Sequence, residues 1–355
     1  MVNSTNNSTT NSDVVKEGGP TMRALFGVVA GLSLVGNLLL CIVILRRRTM
    51  LTKTYNILIF NLAIADMLTG VFLFMTPGYV IAQESFPLLH GNSGDIFCRI
   101  VFSTYFLFCF GKASNATVMC LAIDRWYSVI KPIRYKIAFG KRRLLGYIAL
   151  IWISSAFTEA IGLSITKLEN GRCKWVDPPY DYNAERVFLL VHVMVTFYIP
   201  SIVTWVSFAQ IWYNLSHTTI NNQNHDIRAK KLLVRMCALA AFFLTLCWFP
   251  TETFFVLKKF NVLILPDIWY WVFNLLGMFN SCINPWVYCL SNKQYRREFQ
   301  RIVPIVLSWN EQRGSWRPTH PTNFRQKVGA WDSTMGVQNM GIEANDSSKN
   351  AASVN

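Results

Sequence analysis

The chain has 355 residues, of which 52% are hydrophobic and only 15% charged, with a formal net charge of +15. A soluble domain carries about 25% charged residues, so the balance points to a membrane. The positive charge does not indicate nucleic-acid binding. The basic residues sit in short segments between long apolar runs and leave no soluble fold on which a basic face could form.

Residues 1–23 are polar and carry acceptor sequons at Asn3, Asn6 and Asn7, readable by the glycosylation machinery only from the lumenal side. They lack the apolar core of a cleavable signal peptide, so the first span is expected to direct insertion itself. A bilayer core needs about 20 apolar residues in helix. Ala24 to Leu45 contains no charge and is bounded by Arg23 and Arg46-Arg47-Arg48. Further runs lie near 55–82 with Asp66, 100–123 with Lys112, and 144–166 with Glu159 as the sole charge of each. Three more lie near 187–213 with His192, 236–257 with Glu252, and 268–292 without charge. An amphipathic stretch from Lys293 to Val303 is expected on the membrane surface. Residues 304–355 are rich in Ser, Thr, Asn and Gly without apolar periodicity and read as a disordered tail. The expected fold is an all-α membrane protein: a seven-helix bundle over 24–303 with a short surface helix at 293–303. It is flanked by an extracellular tail (1–23) and a cytoplasmic one (304–355).

Orientation follows from lysine and arginine. Arg46, Arg47, Arg48 and Lys53 follow the first run; Lys131, Arg134, Lys136, Lys141, Arg142 and Arg143 follow the third. Arg228, Lys230, Lys231 and Arg235 precede the sixth, and Lys293, Arg296, Arg297 and Arg301 follow the seventh. The alternate loops mix signs, which places the N-terminus outside and the C-terminus inside. Of nine cysteines, seven fall within apolar runs, where a thiol behaves as a small hydrophobe. Cys98 and Cys173 lie in the outer loops and form one disulfide candidate. No cysteine or histidine spacing suggests zinc, and no nucleophile–base pair or phosphate loop suggests an enzyme.

Charges at bilayer depth are costly and mark functional candidates. Asp66 is mid-span, with Asn37, Ser114, Asn280, Ser281 and Asn284 at similar depth on other helices. Spacing alone leaves two readings open, a structural hydrogen-bond network or a site for a hard cation. Asp124-Arg125 ends the third span, and Pro200, Pro250 and Pro285 each remove a backbone donor within a span.

Taken together these residues resemble the rhodopsin-like (class A) G-protein-coupled receptors. The resemblance covers roughly 24–300 and all seven spans. It rests on Gly36-Asn37, Leu62-Ala63-Ile64-Ala65-Asp66, Cys98, Asp124-Arg125-Trp126, Trp152, Cys173, Pro200, Cys247-Trp248-Phe249-Pro250 and Asn284-Pro285-Trp286-Val287-Tyr288. It implies that Cys98–Cys173 staples the second outer loop over a ligand mouth. Asp66, Ser114, Asn280, Ser281 and Asn284 match the family's allosteric sodium site, with no other cofactor implied. Trp248 matches the indole beneath the ligand pocket. Asp124 and Arg125, with Tyr288 and the kinks at Pro250 and Pro285, match the coupling machinery for a heterotrimeric G protein, with arrestin, receptor kinases and membrane lipid as further partners. Departures include Phe208 in place of a tyrosine, Asn115 and Leu244 in place of a bulky apolar pair against Pro200, and Tyr295 for a phenylalanine, a conservative change. Lys230 stands where some members carry an acid that locks Arg125, so a weak resting lock and some basal signalling are expected.

The same resemblance places Thr104, Leu107, Phe108 and Gly111 of the third span in the ligand pocket. His192, Trp248, Glu252, Phe255, Tyr270 and Asn274 line it from the fifth, sixth and seventh. Leu107 occupies the position of the amine receptors' aspartate, which argues against a monoamine; Met278 occupies that of the opsins' lysine, which excludes retinal. Lys112 is expected to pair with Glu159, leaving Glu252 with no obvious partner except Lys112 or His192. An unpaired buried carboxylate suits a ligand with a basic group, and a short basic or amidated neuropeptide is the expected ligand. A lipid or other small non-amine ligand is the alternative, and a channel or transporter the remote one.

Overall fold

The computed structural model describes residues 19–302 except 88–89, 177, 179 and 218–224. The sequons at Asn3, Asn6 and Asn7 and the tail at 304–355 lie outside the described residues.

Helix α1 (Pro20–Arg46) opens on a proline, whose fixed φ and missing N–H suit a first helical turn. It is followed by α2 (Thr54–Met75), a short α3 (Gly91–Phe97) and α4 (Tyr105–Ile130). Next come α5 (Pro132–Ala138) and α6 (Lys141–Glu159), then strands β1 (Thr166–Glu169) and β2 (Arg172–Trp175). Helices α7 (Tyr182–Val193) and α8 (Ile199–His217) are joined through a π-turn at Met194–Tyr198. The series closes with α9 (His225–Lys259), α10 (Ile268–Ser291) and α11 (Lys293–Ile302).

By length and composition, six of these segments suffice to cross a membrane: Pro20–Arg46, Thr54–Met75, Gly91–Ile130, Lys141–Ser164, Tyr182–His217 and Ala229–Lys259. The seventh, α10, carries no charge but holds Asn274, Asn280 and Asn284, all buried. Its polarity faces the bundle. Leu25, Val28, Leu32 and Val35 of α1 are exposed while Ser33 and Asn37 of the same helix are fully buried. An apolar exterior around a polar interior is stable only against hydrocarbon.

The third apolar run is not one straight helix. A π-turn at Cys98–Phe102 follows α3, and Thr104 adopts φ 60° before α4 begins. The outer loop expected after the fourth span folds into a hairpin, with Thr166 facing Trp175 and Glu169 facing Arg172. Asn170 and Gly171 have φ 51° and 76°, the two positive values that a tight hairpin turn requires. Cys173 of β2 is bonded to Cys98, with their Cα atoms 5.2 Å apart.

Polar side chains tie the helices. Trp152 Nε1 donates to Asn61 Oδ1 at 2.9 Å, and Asn61 Nδ2 donates to Thr117 Oγ1 at 2.8 Å, joining α6, α2 and α4. Gly70 lets α2 approach α1: a Cβ there would lie 2.8 Å from the Ala30 carbonyl oxygen. Helix α11 docks by burying Tyr295 and Phe299, and Glu298 receives Arg47 and Arg301, each at 2.9 Å.

Candidate functional site

Three polar clusters are spaced along the bundle. The first lies toward the disulfide end. Leu107, Gly111, Trp248, Asn274 and Met278 are buried there, and the Phe108 ring stands edge-on to Trp248 at 6.4 Å. Gly111 is required by Trp248, because a Cβ at 111 would lie 2.7 Å from the indole Cζ2. Phe255 and Tyr270 meet edge to face at 5.7 Å. Thr104 is buried at the start of α4, where its hydroxyl donates to the Ser103 carbonyl at 2.6 Å.

The charges in this cluster differ from the expected pairing. Lys112 does not meet Glu159. Its ammonium bonds Glu252 Oε1, with side-chain exposures of 6% and 5%, and lies 5.5 Å from the centroid of the Trp248 ring. Glu159 bonds His192 at 3.0 Å instead. Chain geometry explains the difference. Lys112 follows Gly111 on the α4 turn that touches Trp248, and Glu252 stands one turn beyond Trp248 on α9, so the two charges meet over the indole. Glu159 ends α6 near His192 of α7. The expectation of an unpartnered Glu252 is therefore overturned. The cluster is electrically neutral, yet Trp248 Nε1 and Asn274 Oδ1 are buried without a hydrogen-bond partner.

The second cluster surrounds Asp66, which is fully buried. Asn284 Nδ2 donates to Asp66 Oδ2 at 2.7 Å. Asp66 Oδ1, Ser114 Oγ and both polar atoms of Asn280 have no partner. Asn37 Nδ2 bonds the Ser33 and Ser281 carbonyls at 2.9 and 2.8 Å. A buried carboxylate with the Ser114 and Ser281 hydroxyls beside it is a donor set suited to a small hard cation.

The third cluster lies at the opposite end of α4. Arg125 Nε donates to Asp124 Oδ2 at 2.8 Å, and the guanidinium lies 4.7 Å from the Tyr55 ring centroid. Thr54 and Tyr135 hydroxyls donate to Asp124 Oδ1 at 2.8 and 3.0 Å, and Arg125 also reaches the Tyr135 hydroxyl at 3.2 Å. Tyr288 is fully buried with its hydroxyl unpartnered. Phe208, buried on α8, has no hydroxyl to offer it.

Sequence reasoning missed two features. Asn115 Nδ2 donates to the Thr196 carbonyl at 2.6 Å; Thr196 lies four residues before Pro200, whose ring nitrogen cannot serve that carbonyl. The signal was the i−4 relation to a proline. Tyr295 is not a conservative filler, because its hydroxyl donates to Asn56 Oδ1 at 2.7 Å. Nothing in the sequence pairs those two residues, which are 239 positions apart.

The chain matches the family described as 7 transmembrane receptor (rhodopsin family) over residues 36–288. It is 26% identical to the human histamine H2 receptor over 324 residues, which is 87% of this chain and 84% of that protein. It is 24% identical to the Drosophila melanogaster tachykinin-like peptides receptor 99D over 308 residues, 80% of this chain and 57% of that one. It is likewise 24% identical to the Bombyx mori allatostatin-A receptor over 302 residues, 81% and 80% of the two chains.

Proposed function

Since the chain belongs to the seven-transmembrane receptors of the rhodopsin family, multi-pass proteins of the plasma membrane that answer extracellular ligands, we propose that it couples a short amidated peptide to a heterotrimeric G protein. The loops rich in lysine and arginine support an orientation with the N-terminus outside and the Asp124–Arg125 end inside. The observation that carries the ligand reading is the neutral floor of the first cluster. With Lys112 on Glu252, an added cation finds no free carboxylate there, so the basic group once expected of the ligand loses its support. What the floor lacks is one acceptor for the Trp248 N–H and one donor for the Asn274 oxygen. A carboxamide supplies both.

Two receptors named for peptides are among the relatives. The histamine H2 receptor is slightly more similar in sequence, at 26% against 24%, but Leu107, fully buried, offers no charge to an ammonium. Agonist binding shifts the population toward a state in which α9 swings outward and opens the way for the G protein to reach Arg125. Asp66, Ser114, Asn280, Ser281 and Asn284 would hold a sodium ion, whose charge balances the buried carboxylate of the resting state.

The test is G-protein activation in transfected cells by matched sets of amidated and free-acid short peptides, with monoamines and lipids as controls. We expect responses to amides that weaken about tenfold or more in Asn274→Leu, the effect of leaving a buried group unpaired. A response to lipids alone would retain the receptor and overturn the peptide; a response to histamine would overturn the reading of Leu107.

A further inference from the structure

We propose that the Lys112–Glu252 pair is the clasp that holds this receptor at rest, fastening α4 to α9 at the floor of the ligand site. The inference rests on the receptor reading above and adds to it the device that sets the basal equilibrium.

The two residues are 140 positions apart and reach each other from different helices with almost no exposure. Among the described residues it is the one ion pair between α4 and α9. At the other end of α4, Arg125 is held by its own neighbour Asp124 and by Tyr55 and Tyr135, none of them on α9. Lys230, at the α9 foot, is exposed and bears the wrong charge to hold an arginine. Among the described residues, the ionic tie between α4 and α9 therefore lies at the ligand end.

Its position makes it responsive. Pro250 interrupts the hydrogen-bond ladder of α9, with Trp248 two residues before the break and Glu252 two residues after. Trp248 is held between Gly111, which leaves no room for a methyl group, and Lys112, whose ammonium lies over the ring. A rotation of the Trp248 indole disturbs the ammonium that lies over it, and with it the bond from Lys112 to Glu252. A buried ion pair adds little net stability over an apolar pair of the same size, but parting its members strands two charges. Its weight thus falls on which arrangement is populated. A ligand opens the clasp by replacing each partner, accepting from Lys112 and donating to Glu252. An amide does this and a lone ion does not.

The experiment uses the full chain in lipid nanodiscs, with spin labels on Arg134→Cys and Lys230→Cys to read the distance between the exposed ends of α5 and α9. Basal nucleotide exchange on a panel of G proteins is read in parallel. Lys112→Met and Glu252→Gln are each expected to lengthen the distance and raise basal exchange roughly three- to tenfold. Reversing the pair, Lys112→Glu with Glu252→Lys, is expected to return both to wild type. Wild-type distances in well-folded single variants, or a reversed pair that behaves like the singles, overturn the clasp. Should the singles fail to fold, Lys112→Met with Glu252→Met buries no charge and is expected to show the long distance; a wild-type distance there overturns the proposal. A lengthened distance without exchange on any G protein upholds the clasp and rejects the coupling reading. Exchange with an unchanged distance does the reverse.

Discussion

Pro200 and Pro285 each strand a carbonyl one turn back, and in both cases an asparagine from another helix donates to it. Asn115 serves Thr196, and Asn37 serves Ser281. Interhelical hydrogen bonds of this kind contribute about 0.6–1.7 kcal/mol in a membrane protein. Asn115→Leu keeps the volume and removes the donor, so it is expected to lower the thermal midpoint in detergent by a few degrees. Pro200→Ala restores a backbone N–H, and the double variant is expected to lose less than the two single losses added together. Strict additivity in that cycle would show that Asn115 serves something other than the proline's carbonyl. The substitution of Asn115 for an apolar residue was visible in the sequence as a departure. Its reason was not, because the acceptor sits on another helix.

Among the elements, the spans were legible because each needs a long apolar run, and a run of that length has few other uses. The surface helix was legible for a similar reason, as its polar and apolar residues alternate at helical spacing. Apolar periodicity shows neither the break at Thr104 nor the hairpin at 166–175, although Asn170-Gly171 is a strong turn signal. The attachment of α11 is the clearest case of hidden specificity. Tyr295→Phe deletes only the hydroxyl bonded to Asn56, leaving a buried acceptor unpaired at about 1–3 kcal/mol. The expected outcome is faster proteolysis after Asn292 with the bundle's thermal midpoint nearly unchanged. Unaltered cleavage would reduce that hydrogen bond to an incidental contact.

Across the whole molecule, the polar clusters form a column from the disulfide end through Asp66 to Arg125. Which residues would share a cluster was readable from motifs; which charge would pair with which was not. Lys112 had two carboxylates within plausible reach, and only the packing of Trp248 on Gly111 decides for Glu252. Linkage makes the column testable from its middle. A cation that prefers the resting arrangement lowers basal activity, and agonist in turn lowers its affinity. Replacing sodium by a large organic cation at constant ionic strength is expected to raise basal nucleotide exchange in the wild type. Asp66→Asn is expected to make exchange indifferent to sodium. A sodium response that survives in that variant would place the ion elsewhere.

The cysteines give the molecule a built-in clock. Cys98 and Cys173 are bonded to each other, and the remaining seven are buried. Cys237 on α9 is fully enclosed and lies near the Arg125 guanidinium. A thiol in that place meets a membrane-permeant alkylating reagent only while the Arg125 end of the bundle is open. Its modification rate in the unmutated receptor therefore reports how often that end opens, with no ligand or partner protein added.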